Sequence, residues 1–236
     1  MLAFARLFDA LDRTTRTSGK VAALADYFRC TPPADAAWAL WFLCGRRLKR
    51  AVKTAHLRQC AAEVAGLPLW LVEACCEHVG HLGETLALLL PPNSNPAPPP
   101  LAELVERRLL PLAGAPEATQ RELLRAAWSE LDTPQRLLWH RLITGHFRAG
   151  AWQALLVPAL ATLAGVEPPV MTHRLMGEWR PTPADLSRLL SGASAEDAAV
   201  RGACLIQTDL FITEEAATPL PVPLRLSAPR PATSRG

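Results

Sequence analysis

Arg141-Leu-Ile-Thr-Gly-His-Phe-Arg-Ala-Gly150 joins an amphipathic stretch, residues 134–144, to an apolar one, residues 151–164. Both stretches have helical spacing. Asp132-Thr-Pro134 supplies a start signal for the first, a capping side chain followed by proline in the first turn. Gly145 and Gly150 lie five residues apart, so the backbone between them is free to turn sharply and to approach another surface closely. Arg148, between them, is placed to reach into a groove, and loop N–H groups suit phosphate oxygens. The same spacing also describes a plain helix-to-helix turn with Phe147 plugged into the core, and spacing by itself favours that reading.

Outward from this joint the chain keeps reading as helix. Residues 2–12 carry apolar side chains at helical spacing, and a helix capped by Thr17 or Ser18 is expected to run through Phe28. Thr31-Pro32-Pro33-Ala-Asp35 leads into Trp38-Ala-Leu-Trp-Phe-Leu43, which Gly45 stops. Residues 55–66 and 68–90 predict two more helices. On the C-terminal side 101–113, 117–131, 134–144, 151–164, 169–177 and 182–190 follow. No period-two strand run occurs before residue 200, so the fold class is all-α. Pro91-Pro-Asn-Ser-Asn-Pro-Ala-Pro-Pro-Pro100 favours an extended conformation and divides the chain. The expected organisation is a helical lobe at 1–90, a linker at 91–100, a second helical lobe at 101–190 and an irregular tail at 191–236. That tail ends in a proline-dense run from Thr218 that suits neither a packed helix nor a central strand.

Ala and Leu abound in a chain of 236 residues that is half hydrophobic, long enough to bury a sizeable core. The net charge is only +3, but it is unevenly placed. Residues 1–60 hold eleven Lys/Arg against four Asp, an excess of +7, so the remainder is −4. Arg46-Arg-Leu-Lys-Arg50 with Lys53 puts five cations within eight residues, and no acid stands between Ala36 and Ala62. Such density points to phosphate contact more than to a merely solvated helix face. Arg13, Arg16 and Lys20 repeat the pattern more weakly. No uncharged run reaches the roughly 18–20 residues needed to span a bilayer, and no apolar signal core opens the chain. The six cysteines include no CxxC pair. A reducing cytoplasm with free thiols is therefore expected.

Cys75-Cys-Glu-His-Val-Gly-His81 invites a metal reading, with Cys75, His78 and Cys76 or His81 converging. Gly80 and Gly83 weaken that helix and no second ligand cluster is evident, so no metal site is assigned. Nucleophilic chemistry finds little to stand on. There is no Gly-x-Ser-x-Gly, and Ser18-Gly-Lys20-Val lacks the features of a phosphate-binding Gly-Lys-Ser/Thr loop. The seven tryptophans mostly fall in amphipathic stretches, where core packing is their default role.

Several dispersed blocks share a resemblance. Phe4-Ala-Arg-Leu-Phe-Asp-Ala-Leu-Asp12, Gly19-Lys-Val-Ala-Ala-Leu-Ala-Asp-Tyr-Phe28, Ala36-Ala-Trp-Ala-Leu-Trp-Phe-Leu43 and the 141–150 segment resemble the helical N-terminal DNA-binding domain of bacterial ATP-dependent DNA ligases, over about residues 1–180. The resemblance implies that Gly145, Arg148 and Gly150 form a Gly-x-x-Arg-x-Gly turn used against the minor groove; His146 stands where the family often has a basic residue or glycine. It also makes Gly80-His-Leu-Gly-Glu-Thr85 structural, with His81 in place of an aspartate. The implied partner is nicked duplex DNA, gripped during repair, replication and recombination by a cytoplasmic, nucleoid-associated monomer. The expected DNA contacts are Arg13, Arg16, Lys20, Arg46, Arg47, Lys49, Arg50, Lys53, Gly145, Arg148 and Gly150. ATP and Mg2+ are implied as cofactors of a whole ligase, with none in this chain and no catalytic residue. The nucleophilic lysine of such enzymes sits in Lys-x-Asp-Gly, whereas Lys20, Lys49 and Lys53 lack that context. The chain is thus expected to be a ligase fragment, from a truncation, a frameshift or a split enzyme, that holds DNA without sealing it. The alternatives are a helical protein-interaction scaffold and a small metal-binding helical protein.

Overall fold

The computed structural model describes residues 1–46, 48, 51–145 and 150–192, with the backbone alone at 150 and 151. Every regular element among them is helical. The order is α1 (Leu2–Arg13), α2 (Thr17–Cys30), α3 (Pro33–Leu43), α4 (Thr54–Ala65), α5 (Leu69–Val79) and α6 (Leu82–Leu89). After the proline-rich segment come α7 (Leu101–Leu104), a π-helical turn (Val105–Leu109), α8 (Leu110–Leu112), α9 (Glu117–Glu130) and α10 (Thr133–Thr144). Then follow α11 (Gly150–Ala164), α12 (Pro168–Met176) and α13 (Pro183–Leu189). The tail expected at 191–236 lies outside the described residues from 193 onward.

Helix α3 is the centre of the packing. It is apolar on every side, and Trp38, Leu40, Phe42 and Leu43 are all buried, as an interior helix requires. It touches α7, α11 and α13. Its one acid, Asp35, is buried for a reason: its carboxylate accepts the N–H groups of Leu101 and Ala102, both at 2.9 Å. These are first-turn donors of α7 with no partner inside that helix. Elsewhere helices pair across the 91–100 segment: α2 lies on α11, and α6 on α10. One continuous hydrophobic cluster therefore draws side chains from α1 through α13.

Three local features depart from the simple pattern. The helix expected over 68–90 is two helices, because Gly80 adopts a left-handed φ of 75° and ends α5. The helix expected over 101–113 contains the π-turn, in which the Leu110 N–H reaches back to the Val105 carbonyl. Pro111 follows at once and supplies no N–H, so the widened turn accommodates it. Neither Thr17 nor Ser18 caps α2; the helix begins at Thr17 after an extended Arg16. By contrast α10 starts on a full capping box, with Asp132 accepting the Gln135 N–H at 2.9 Å and Gln135 Oε1 accepting the Asp132 N–H at 3.2 Å.

No single helix among the described residues is long and apolar enough to cross a membrane. The span Trp152–Ala164 with Pro168–Met176 meets the length and composition only as a pair, bent by 110°. Leu156, Ala159 and Leu160 of the first helix are core residues.

Candidate nucleic-acid interface

The joint between α10 and α11 is held from below by an uncharged polar contact. His140 is wholly buried in α10, between Trp128 of α9 and Gly83 of α6. The Trp128 indole N–H has only a proton to give, and it gives it to His140 Nε2 at 2.9 Å. The ring proton therefore sits on Nδ1, which donates to the Gly83 carbonyl at 2.9 Å. Burial drives the His140 pKa down to about 4, so the ring is neutral at physiological pH. Gly83 lies flat against this histidine, since a Cβ there would stand 3.1 Å from His140 Cβ. The 80–85 segment is thus structural, its Gly80 ending one helix and its Gly83 seating the next on α10.

Above this contact α10 closes with Thr144, whose hydroxyl donates to the His140 carbonyl at 2.8 Å. Gly145 follows with φ 71°, a left-handed conformation that any larger residue adopts only with strain. Residues 146–149, Arg148 among them, lie outside the described residues, and the backbone re-enters helix at Gly150. Trp152, in the first turn of α11, is buried and meets Phe8 of α1 edge-on at 5.9 Å. A cation rests on each of these rings. The Lys20 ammonium, in the first turn of α2, is 5.4 Å from the Trp152 centroid. The Arg141 guanidinium, in the last turn of α10, is 6.0 Å from the Phe8 centroid.

Ala51, after α3, comes to the same place. Ala51 N approaches the Ile143 carbonyl at 3.5 Å, in the last turn of α10. Gln120 donates to the Ala51 carbonyl at 3.4 Å and to the Leu112 carbonyl at 3.0 Å. Lys53 is exposed just before α4. Arg47, Lys49 and Arg50 lie outside the described residues. Arg46 has a different place from the one expected of a phosphate contact. Its guanidinium lies between Trp41 and Trp179, 5.0 and 4.5 Å from their centroids. It donates to the carbonyls of Gly177 at 2.7 Å, Trp179 at 3.3 Å and Leu175 at 3.4 Å. Arg46 therefore latches the α12–α13 turn onto the end of α3.

The cations of the first connection divide in the same manner. Arg13 is exposed but bonded to Asp9 at 2.8 Å. Arg16 is exposed with no ion pair to a described residue. Arg141, Phe8 and Trp152 were not read from the sequence as parts of an interface. Arg141 stands inside the 141–150 segment, but only the packing of α1 on α10 shows what it rests against.

A family model described as DNA ligase N terminus matches residues 1–161. The chain belongs to the family of N-terminal domains of ATP-dependent DNA ligases. No curated protein matches it. The matched stretch of this ligase domain ends within α11, and α12 and α13 continue past it, packed on α11 and α3. None of the three lysines is followed by x-Asp-Gly, and Lys20 faces an indole. Among the described residues no group of three or more His, Cys, Asp or Glu side chains is placed to hold a metal. Cys76 is buried and its thiol is pushed up by that burial, while His78 and His81 are exposed.

Proposed function

We propose that this ligase domain grips duplex DNA flanking a nick, during repair, replication and recombination, through phosphate and minor-groove contacts centred on the 145–150 loop. One observation carries the reading. Three separate parts of the chain meet at the described ends of α10 and α11: the start of α2 with Lys20, the last turn of α10 with Arg141, and Ala51, whose N–H approaches the Ile143 carbonyl. Phosphate contacts position a protein on a duplex without reading its bases, and groove width adds little base information. Such a grip suits a protein that must hold any nick. In this reading Arg148 enters the groove, and Arg47, Lys49, Arg50 and Lys53 neutralise the flanking backbone.

Titration of labelled nicked and intact duplexes at several salt concentrations tests this. Affinity is expected to be independent of sequence, to favour the nicked duplex and to fall steeply with salt. Arg148→Ala is expected to cost on the order of 1–3 kcal/mol of binding, the scale of one good arginine contact. Absence of salt-dependent duplex binding by the full chain would end the reading. Wild-type affinity for Arg148→Ala, with helix content unchanged, would remove the loop from it.

A further inference from the structure

Four side chains around the loop form a single row. Lys20 rests on Trp152, Trp152 meets Phe8 at 5.9 Å, and Arg141 rests on Phe8. The two rings belong to different helices and both are buried, at 8% exposure each. Each cation is partly exposed, and neither forms an ion pair with a described residue. In this respect they differ from Arg13, Arg29, Arg107, Arg121 and Arg125, all of which face carboxylates. A ring face attracts a cation but leaves its charge uncompensated, whereas a carboxylate cancels it. A long cationic side chain held against a ring has also already given up part of its rotamer freedom, so less is given up when it meets a phosphate. The row brackets the loop. Arg141 stands four residues before Gly145, and Trp152 two residues after Gly150.

We infer that Lys20 and Arg141 are a braced pair of phosphate contacts beside the last turn of α10 and the first turn of α11, with Trp152 and Phe8 as the positioning residues that aim them at the backbone of duplex DNA. This rests on the DNA-gripping reading above and assigns the described residues that carry its electrostatic part. The pair reads no sequence.

The test uses the full chain, one labelled duplex and salt from 50 to 200 mM. Removing one cation that neutralises a phosphate should lower the slope of log affinity against log salt by roughly 0.9. Lys20→Gln with Arg141→Gln should therefore lower it by nearly two units. Over that fourfold salt range the affinity of the wild type should drop roughly tenfold more than that of the double variant. Both cations are partly solvent-facing, so these variants keep the fold. Trp152→Phe should preserve the slope, because it keeps a ring face under Lys20. Trp152→Leu should lower it, and should have little further effect once Lys20 is glutamine. That dependence separates aiming from mere structural support. If the wild type binds duplex DNA but the double variant keeps the full slope, the braced pair is wrong and the wider reading survives. If Trp152→Leu folds and keeps the wild-type slope, the bracing role is wrong. If the wild type does not bind duplex DNA, the wider reading fails first.

Discussion

Acidification should loosen the domain at one identifiable place. His140 is neutral and wholly buried, with both ring nitrogens bonded, to the Trp128 indole and to the Gly83 carbonyl. Its pKa falls from an ordinary 6.5 to about 4. The folded pKa lies below the unfolded one, so the unfolded chain binds more protons between the two values. Stability from this group is complete above pH 6.5 and drains away as pH falls toward 4. At about 1.4 kcal/mol for each pH unit, the full window amounts to about 3 kcal/mol. Urea unfolding at pH 7.5, 6.5, 5.5 and 4.5 measures the slope. His140→Gln is the control. Its side-chain oxygen reaches toward the Trp128 N–H, but it has nothing to titrate. The variant should start lower in stability and should lose less of it on acidification than the wild type. Parallel pH profiles for the two proteins would refute the assignment of a neutral, buried His140.

Gly83→Val places branched carbon where even a Cβ stands 3.1 Å from His140 Cβ. Overpacking of this kind should cost about 1–3 kcal/mol, read from the urea midpoint, and an unchanged midpoint would mean that α6 is not seated on α10 as described. Arg46→Met should loosen α12 and α13, speeding amide hydrogen exchange there more than in α4 or α9, at an overall cost of roughly 1–3 kcal/mol. Uniform exchange across all helices would count against a local latch. Incubated with labelled ATP and Mg2+, the chain should form no covalent AMP adduct, since no lysine is followed by x-Asp-Gly; a stable labelled band after denaturation would show a nucleotide site built from other residues.

Much of the helical framework was legible because its signals are local. Asp132 and Gln135 lie three apart and close their capping box within one turn. Gly145 stops α10 in the left-handed conformation expected of a glycine after a helix. The break at Gly80 and the π-turn before Pro111 were missed for a shared reason. Apolar periodicity runs through both and outweighed the glycine and the proline that mark them. Arg46 shows a different limit. Its partners Trp179 and Gly177 lie 133 and 131 residues away, so nothing in Arg46-Arg-Leu-Lys-Arg50 distinguishes the latch from its neighbours.

The charge count carries the same lesson into function. The first sixty residues hold an excess of +7, yet their described cations do not make one uniformly basic face. Arg13 and Arg29 are matched by aspartates on their own helices. Arg46 is turned inward to three carbonyls, and Arg58 sits against the Cys76 thiol. Among the described cations of this stretch, Arg6, Arg16, Lys20 and Lys53 remain without an ion pair to a described residue. Lys20 stands directly beside the joint that Arg141 flanks from the other side. Charge cancelled or turned inward elsewhere sharpens the field where it is left free. Among the described cations, Lys20 and Arg141 thus leave uncompensated charge at the α10–α11 joint, where its field is open to a polyanion.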